Sequence, residues 1–148
     1  VKGGAHVTFE IIPTYLGKAV AFRRQSIPDH EKPPTTKKHP EGMFFFCHNL
    51  IRYAEPMNKF VNRVVKEQTG IGIKNWKIVD FESFYQEKDD HWALLGYVIA
   101  ELKKLPKPGL HGNKVTEVIT FTSKNIPESF AWWSKKDVGA FLKKHKIT

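Results

Sequence analysis

The stretch that decides the fold is "PMNKFVNRVVKEQTGI", residues 56–71. Its apolar side chains fall at i, i+3, i+4, i+7 and i+8, which is one stripe along an α-helix. The glycine near its end suits the left-handed conformation that closes many helices. We therefore predict an amphipathic helix over residues 56–69, capped by Gly70. The stripe consists of Met57, Phe60, Val61, Val64 and Val65.

Six segments with the composition of β-strands surround this helix. Each is rich in branched or aromatic residues and is bounded by turn-forming residues. The first two segments form a predicted hairpin, and the fourth and fifth form another, because the connection "EKDD" (87–90) is short and polar. The predicted strands cover residues 5–13, 17–25, 43–51, 75–86, 91–105 and 114–122.

The remaining segments are a loop and a final helix. Residues 26–42 hold four prolines, which predicts a surface loop, although its lysines could also face a phosphate. Ser134 has the side chain of an N-cap for a helix that follows it. This order of strands and helices predicts one α+β domain over residues 1–148, with helices packed on a mixed sheet. The loop lysines are Lys32, Lys37 and Lys38.

The composition favours a globular chain with anionic partners. The formal charge of +9 favours nucleotides, nucleic acid or an acidic surface, and it also fits a lysine-rich solvated surface. The single cysteine, Cys47, excludes an internal disulfide and a cysteine-based zinc site, and it suits a reducing cytoplasm. The longest apolar stretch, residues 92–100, is too short to cross a bilayer, and no apolar leader opens the chain. We expect a cytoplasmic protein.

Residues 49–71 resemble the Nudix box. Its signature is a glycine, five residues, a glutamate, seven residues, then Arg-Glu-aliphatic-x-Glu-Glu-x-Gly-aliphatic. Glu55, Arg63, Glu67 and Gly70 stand at matching positions, and "VKEQTGI" is similar to the usual "VKEETGL". The resemblance implies an α/β/α sandwich that hydrolyses a nucleoside diphosphate derivative with Mg²⁺ or Mn²⁺. Homodimers are common in that family, so a homodimer is a further expectation.

Three positions depart from the signature: Asn49, Val64 and Gln68. Positions 64, 67 and 68 lie on one helix face, where three glutamates would repel one another and require a cation. Valine offers no ligand and glutamine only a neutral carbonyl oxygen, so Glu67 is the one carboxylate left. Residues 49–71 contain four basic and two acidic residues. Their net charge of +2 attracts phosphate directly.

Three interpretations follow from these departures. The first, which we favour, is a Nudix fold that binds a nucleotide or another phosphorylated ligand, with metal-dependent hydrolysis weak or lost. The second is an active hydrolase with substitute metal ligands, and the third is an unrelated α+β domain. The carboxylates that could substitute are Glu82, Glu87, Asp89, Asp90 and Glu117.

The resemblance also assigns roles to individual residues. Glu55, Arg63 and Glu67 are the candidate catalytic residues, and Arg63 would orient the loop that carries Glu55. Glu67 and Glu117 are candidate metal ligands. The alternatives are a surface ion pair between Arg63 and Glu67, four residues apart on the helix, and a solvent-facing strand position for Glu117.

The candidate ligand contacts are Arg23, Arg24, His48 and Gln68. Adjacent strand residues point to opposite faces, so one of the two arginines is the predicted phosphate contact. His48 could act as a base or touch a phosphate, or it could be a hydrogen-bonded core residue. Gln68 could contact a ligand or cap the last helical turn.

The tryptophans and the basic residues leave two further points open. Trp92, Trp132 and Trp133 could stack a base, although we expect at least two of them in the core. A nucleic-acid-binding or interaction module is a rival function because of the positive charge and the cluster "KKHK" (143–146). No recognised nucleic-acid motif accompanies that charge.

Overall fold

The computed structural model describes residues 5–24, 37 and 42–148. In this part of the chain, six strands form one mixed sheet in the order β4–β5–β1–β2–β6, with β3 paired to β1. β1 is parallel to β5, and the other strand pairs are antiparallel. The elements are β1 Ala5–Tyr15, β2 Lys18–Arg24, β3 Cys47–Leu50, α1 Met57–Thr69, β4 Ile73–Gln86, β5 His91–Leu102, β6 Val115–Phe121 and α2 Lys135–Lys144.

The sheet separates two hydrophobic cores, one under each helix. Successive side chains of a strand point to opposite faces, so neighbouring residues enter different cores. On β1, Ile11 packs under α1 and Ile12 packs under α2. On β2, Phe22 joins the α1 core and Ala21 the α2 core. The predicted sandwich, with helices on both faces of a mixed sheet, is confirmed.

Helix α1 has the predicted apolar stripe and the predicted cap. Four of its five stripe residues are fully buried, and Met57 packs against the same core. Burial of each such side chain stabilises the fold by about 1.5–3 kcal/mol. Gly70 has a φ of 78° and its N–H donates to Lys66 O at 2.8 Å. Neither helix within the described residues is long and apolar enough to cross a membrane.

Gln68 fastens the end of α1 to the edge of β3. Its side-chain Nε2 donates to His48 O at 2.8 Å, and its Oε1 accepts from His48 N at 3.3 Å. The amide therefore pairs with His48 as a neighbouring strand would. Gln68 itself is buried, so solvent water does not replace these bonds.

The segment predicted as a strand over 43–51 is regular only over Cys47–Leu50, where it pairs with β1. The earlier residues change partners: Phe44 bridges to Phe130 and Phe45 bridges to Phe22. This segment is long and apolar because it crosses from β2 to β1. The other predicted strands differ from the observed ones by at most three residues at either end. Of the predicted loop over 26–42, Lys32 and Lys38 lie outside the described residues, and Lys37 is exposed.

Replacing Gly70 with alanine should destabilise the fold strongly. A Cβ there would lie 2.4 Å from Leu110 O, and the φ of 78° disfavours any side chain. We expect a loss of about 3 kcal/mol in the free energy of unfolding, measured by denaturant titration. Gly109→Ala is the matched control, since Gly109 has a φ of 76° but no atom within 4 Å of the added Cβ. It should cost about 1 kcal/mol from backbone strain alone, and equal losses in the two variants would contradict the close approach.

Replacing Gln68 with glutamate should cost about 2 kcal/mol at pH 7, because the carboxylate cannot donate to His48 O and is buried. A buried carboxyl facing a carbonyl has a raised pKa in the folded state, so this loss should shrink as the pH falls through that pKa. Free energies of unfolding of the variant and the parent at pH 7 and pH 4.5 measure it. Glu67→Gln, at the exposed neighbouring position, is the control and should change stability by about 0.5 kcal/mol or less. A pH-independent difference for Gln68→Glu would contradict the pairing.

Candidate functional site

Glu55 and Arg63 join the loop before α1 to the helix itself. Arg63 donates from Nε to Oε2 and from Nη2 to Oε1 of Glu55, both at 2.8 Å. Arg52 N donates to the same carboxylate at 3.2 Å. The bonds from Arg63 lower the pKa of Glu55 to about 2. Glu55 is therefore ionised at neutral pH and is a weak base.

The box positions do not fit a magnesium ion. Val64 is fully buried in the α1 core. Gln68 uses both ends of its amide on His48, so its carbonyl oxygen faces the main chain. Glu67 is about half exposed and lies 3.6 Å from Arg63 Nη1. The described residues contain no group of three histidine, cysteine, aspartate or glutamate side chains that could hold a metal ion.

The carboxylates considered as substitutes are dispersed over the sheet. Glu117 on β6 forms an ion pair with Arg23 on β2. Glu82 on β4 accepts a hydrogen bond from Tyr97 at 3.0 Å, on the α2 face of the sheet. Asp90 accepts one from Tyr85. Glu87 is exposed in the β4–β5 turn, and the side chain of Asp89 lies outside what the structure describes.

A cluster of aromatic and cationic side chains lies beside β3, around Phe45 of the α1 core. We name it the Trp132 cluster; it consists of Arg24, Phe45, His48 and Trp132. The ring of Trp132 stands edge-on to His48, with centroids 4.8 Å apart, and to Phe45 at 6.0 Å. The guanidinium carbon of Arg24 lies 4.9 Å from the centre of the Phe45 ring. Phe45 was not among the predicted site residues, since a phenylalanine within a run of three indicates only burial.

The two consecutive arginines serve opposite faces of the sheet. Arg24 lies over Phe45, which belongs to the α1 core. Arg23 lies over Phe44, which belongs to the α2 core, at 4.1 Å. The prediction that they point to opposite faces is confirmed. Of the two arginines, only Arg24 belongs to the Trp132 cluster.

The expectation that at least two of the three candidate tryptophans are core residues is wrong. Trp132 is 57% exposed and Trp92 is 46% exposed. Trp133 alone packs into the α2 core, and its Nε1 donates to Glu10 at 3.2 Å. The exposure of Trp132 has a local cause, because its φ of 61° turns the chain between two residues that lie in the core.

The sequence matches no family model and no curated protein. Solved structures do resemble the chain. It is similar to the MutT NUDIX hydrolase from Burkholderia pseudomallei, at 12% identity over 90% of this chain and 95% of that one, with a TM-score of 0.62. It also resembles the NUDIX domain of Shewanella oneidensis NrtR complexed with ADP ribose, at 10% identity over 97% and 89%, with a TM-score of 0.62.

A third similar structure is the Bacillus subtilis pyrophosphohydrolase BsRppH, at 17% identity over 95% of this chain and 78% of that one, with a TM-score of 0.57. In each case the likeness extends over most of both chains, so it involves the sheet and both helices rather than α1 alone. At these identities the likeness shows the fold alone. The chemistry of the site depends on the residues described above. The chain has the fold of the Nudix hydrolases.

Proposed function

We propose that the protein binds a nucleoside diphosphate derivative, or a similar phosphorylated ligand, at the Trp132 cluster without a metal ion. Metal-dependent hydrolysis is weak or lost. The observation that carries this proposal is the set of side chains on α1, where a buried valine and a glutamine hydrogen-bonded through both ends of its amide occupy two positions that glutamates hold in the Nudix box.

The base-binding part of the proposal rests on Trp132. A bulky residue with positive φ is strained, and such strain is common at functional sites. An exposed indole also leaves a flat apolar surface in water, which stacking on a nucleobase would cover. The imidazole of His48 packs edge-on against the indole and supports it. A base stacked on Trp132 would therefore lie close to His48.

The phosphate-binding part rests on Arg24. A guanidinium stays protonated and presents a planar set of donors that matches phosphate oxygens. The Phe45 ring contacts both this group and the indole of Trp132. The net charge of +9 raises the local concentration of anionic ligands.

Glu55 and Arg63 act as positioning residues in this proposal. Their paired hydrogen bonds fix the loop between β3 and α1, and so the helix that carries Gln68. Gln68 holds the main chain of His48. Glu67 remains as a half-exposed carboxylate 3.6 Å from Arg63 Nη1, and the described residues contain no group of three possible metal ligands.

An active hydrolase is the second candidate. It is favoured by the solved structures named as hydrolases and by the exposed carboxylate of Glu67. Hydrolysis in that case uses Glu67, the one glutamate among positions 64, 67 and 68, with carboxylates from other segments.

Calorimetric titration with ADP-ribose tests the proposal, because that compound joins a base and a diphosphate and is bound by the Shewanella oneidensis domain. We expect the dissociation constant to change less than about two-fold between EDTA and Mg²⁺. Trp132→Ala and Arg24→Ala should each weaken binding by about ten-fold, which is about 1.4 kcal/mol. Trp92→Ala removes a similarly exposed indole at the turn end of the β4–β5 hairpin, outside the Trp132 cluster. This control should bind like the parent.

Two results would contradict the part of the proposal that concerns the metal ion. One is binding that requires Mg²⁺. The other is magnesium-dependent release of AMP from ADP-ribose that Glu67→Gln abolishes, which would establish the second candidate. Unchanged affinity in both Trp132→Ala and Arg24→Ala would place the ligand outside the Trp132 cluster.

A further inference from the structure

A groove lies between α2 and the turn over residues 122–128. Its volume is about 570 Å³, and it is open to solvent. Its floor is formed by Ile126, Gly139 and Ala140, and its rim by Lys135, Lys136 and Lys143. We name it the α2 groove.

Both walls of the α2 groove are held in place. Ser134 caps the helix by accepting from Asp137 N at 3.0 Å. The opposite turn is closed by Thr122 N, which donates to Asn125 Oδ1 at 2.9 Å. A Cβ at position 139 would lie 3.1 Å from Ile126 Cδ1, so glycine there lets the turn approach the helix. The floor is therefore a preformed apolar surface.

Two of the three rim lysines carry positive charge that the described residues do not neutralise. Lys135 forms an ion pair with Glu128. Lys136 and Lys143 form no ion pair with any residue in the described part of the chain. They are seven residues apart on α2, which places them about 10.5 Å apart along the helix, with the apolar floor between them. The described residues that line the groove include no carboxylate.

We infer that the α2 groove docks an acidic segment of a partner protein. One apolar side chain of that segment lies on Ile126 and Ala140, and acidic residues on either side of it pair with Lys136 and Lys143. In an extended chain, residues four apart point the same way and are about 13 Å apart. The flexible lysine side chains cover the difference from 10.5 Å, so the matching pattern is acidic-x-apolar-x-acidic.

A peptide suits this groove better than nucleic acid does. Single strands bind through aromatic stacking platforms and duplexes through many phosphate contacts, often from arginine. The α2 groove contains no aromatic ring or arginine among its described lining residues, and its floor is apolar. The apolar floor can bury an apolar peptide side chain, whereas a charged phosphate backbone gains nothing by contact with it.

Fluorescence anisotropy of the full chain with a fluorescein-labelled peptide, Gly-Ser-Asp-Ser-Leu-Ser-Asp-Ser-Gly, tests this inference at about 150 mM salt. We expect saturable binding that weakens about ten-fold in the double variant Lys136→Glu and Lys143→Glu. The variant Lys104→Glu with Lys107→Glu makes the same charge change in the loop after β5, and it should bind within about two-fold of the parent. A peptide with serine in place of leucine should bind at least five-fold more weakly, since it loses about 1 kcal/mol of apolar burial.

Amide shifts in nuclear magnetic resonance spectra locate the peptide independently, and Gly139 and Ala140 should move most. The inference is overturned by equal binding of the leucine and serine peptides, by equal weakening in the two charge variants, or by shifts that avoid α2. It is also overturned if a 12-base-pair RNA duplex displaces the peptide and binds more tightly. None of these outcomes bears on the Trp132 cluster, because none of its four residues lines the α2 groove or is changed in these variants.

Discussion

Helix α1 lies so close to the edge of β3 that the side chain at position 68 meets the main chain of His48. An amide satisfies both main-chain groups there, because it donates and accepts at the same time. An ionised carboxylate only accepts, and it would face the carbonyl oxygen of His48. One turn earlier, Val64 fills the core at a position that is also closed to solvent. Val64 and Gln68, two of the three residues that depart from the Nudix signature, are thus the ones that hold the helix against the sheet.

The alternation of side chains along β2 separates the two consecutive arginines. Arg23 and Arg24 are neighbours in sequence, yet each lies over a ring of a different core. Arg24 belongs to the Trp132 cluster, and neither arginine lines the α2 groove, so the cluster and the groove share no side chain. The main chain nevertheless connects them, because Trp132 lies two residues before Ser134, the N-cap of α2.

The sequence predicted those features that depend on neighbouring residues. The stripe and the glycine cap of α1 are local properties, and both are present in the structure. The limits of β3 were not predictable, because they depend on contacts of Phe44 and Phe45 with residues far away along the chain. The hydrogen-bond partner of Gln68 is His48, twenty residues away in the sequence. The sequence therefore suggested helix capping or ligand contact for Gln68 and did not predict its contact with β3. The exposure of Trp132 depends on one backbone angle that no pattern of residue types indicates.

The contrast between α1 and a helix with three glutamates is a contrast in what stabilises the helix. Three carboxylates on one face repel one another, and a bound cation is needed to hold them together. A valine and a glutamine remove that repulsion, and they add apolar packing and two hydrogen bonds to β3. Functional sites commonly reduce stability, and substitutions that remove the reactive groups often restore it. Helix α1 of this protein is accordingly held by contacts within the chain, and in the function proposed above the anionic ligand is bound by cationic and aromatic side chains of other segments rather than by an ion on this helix.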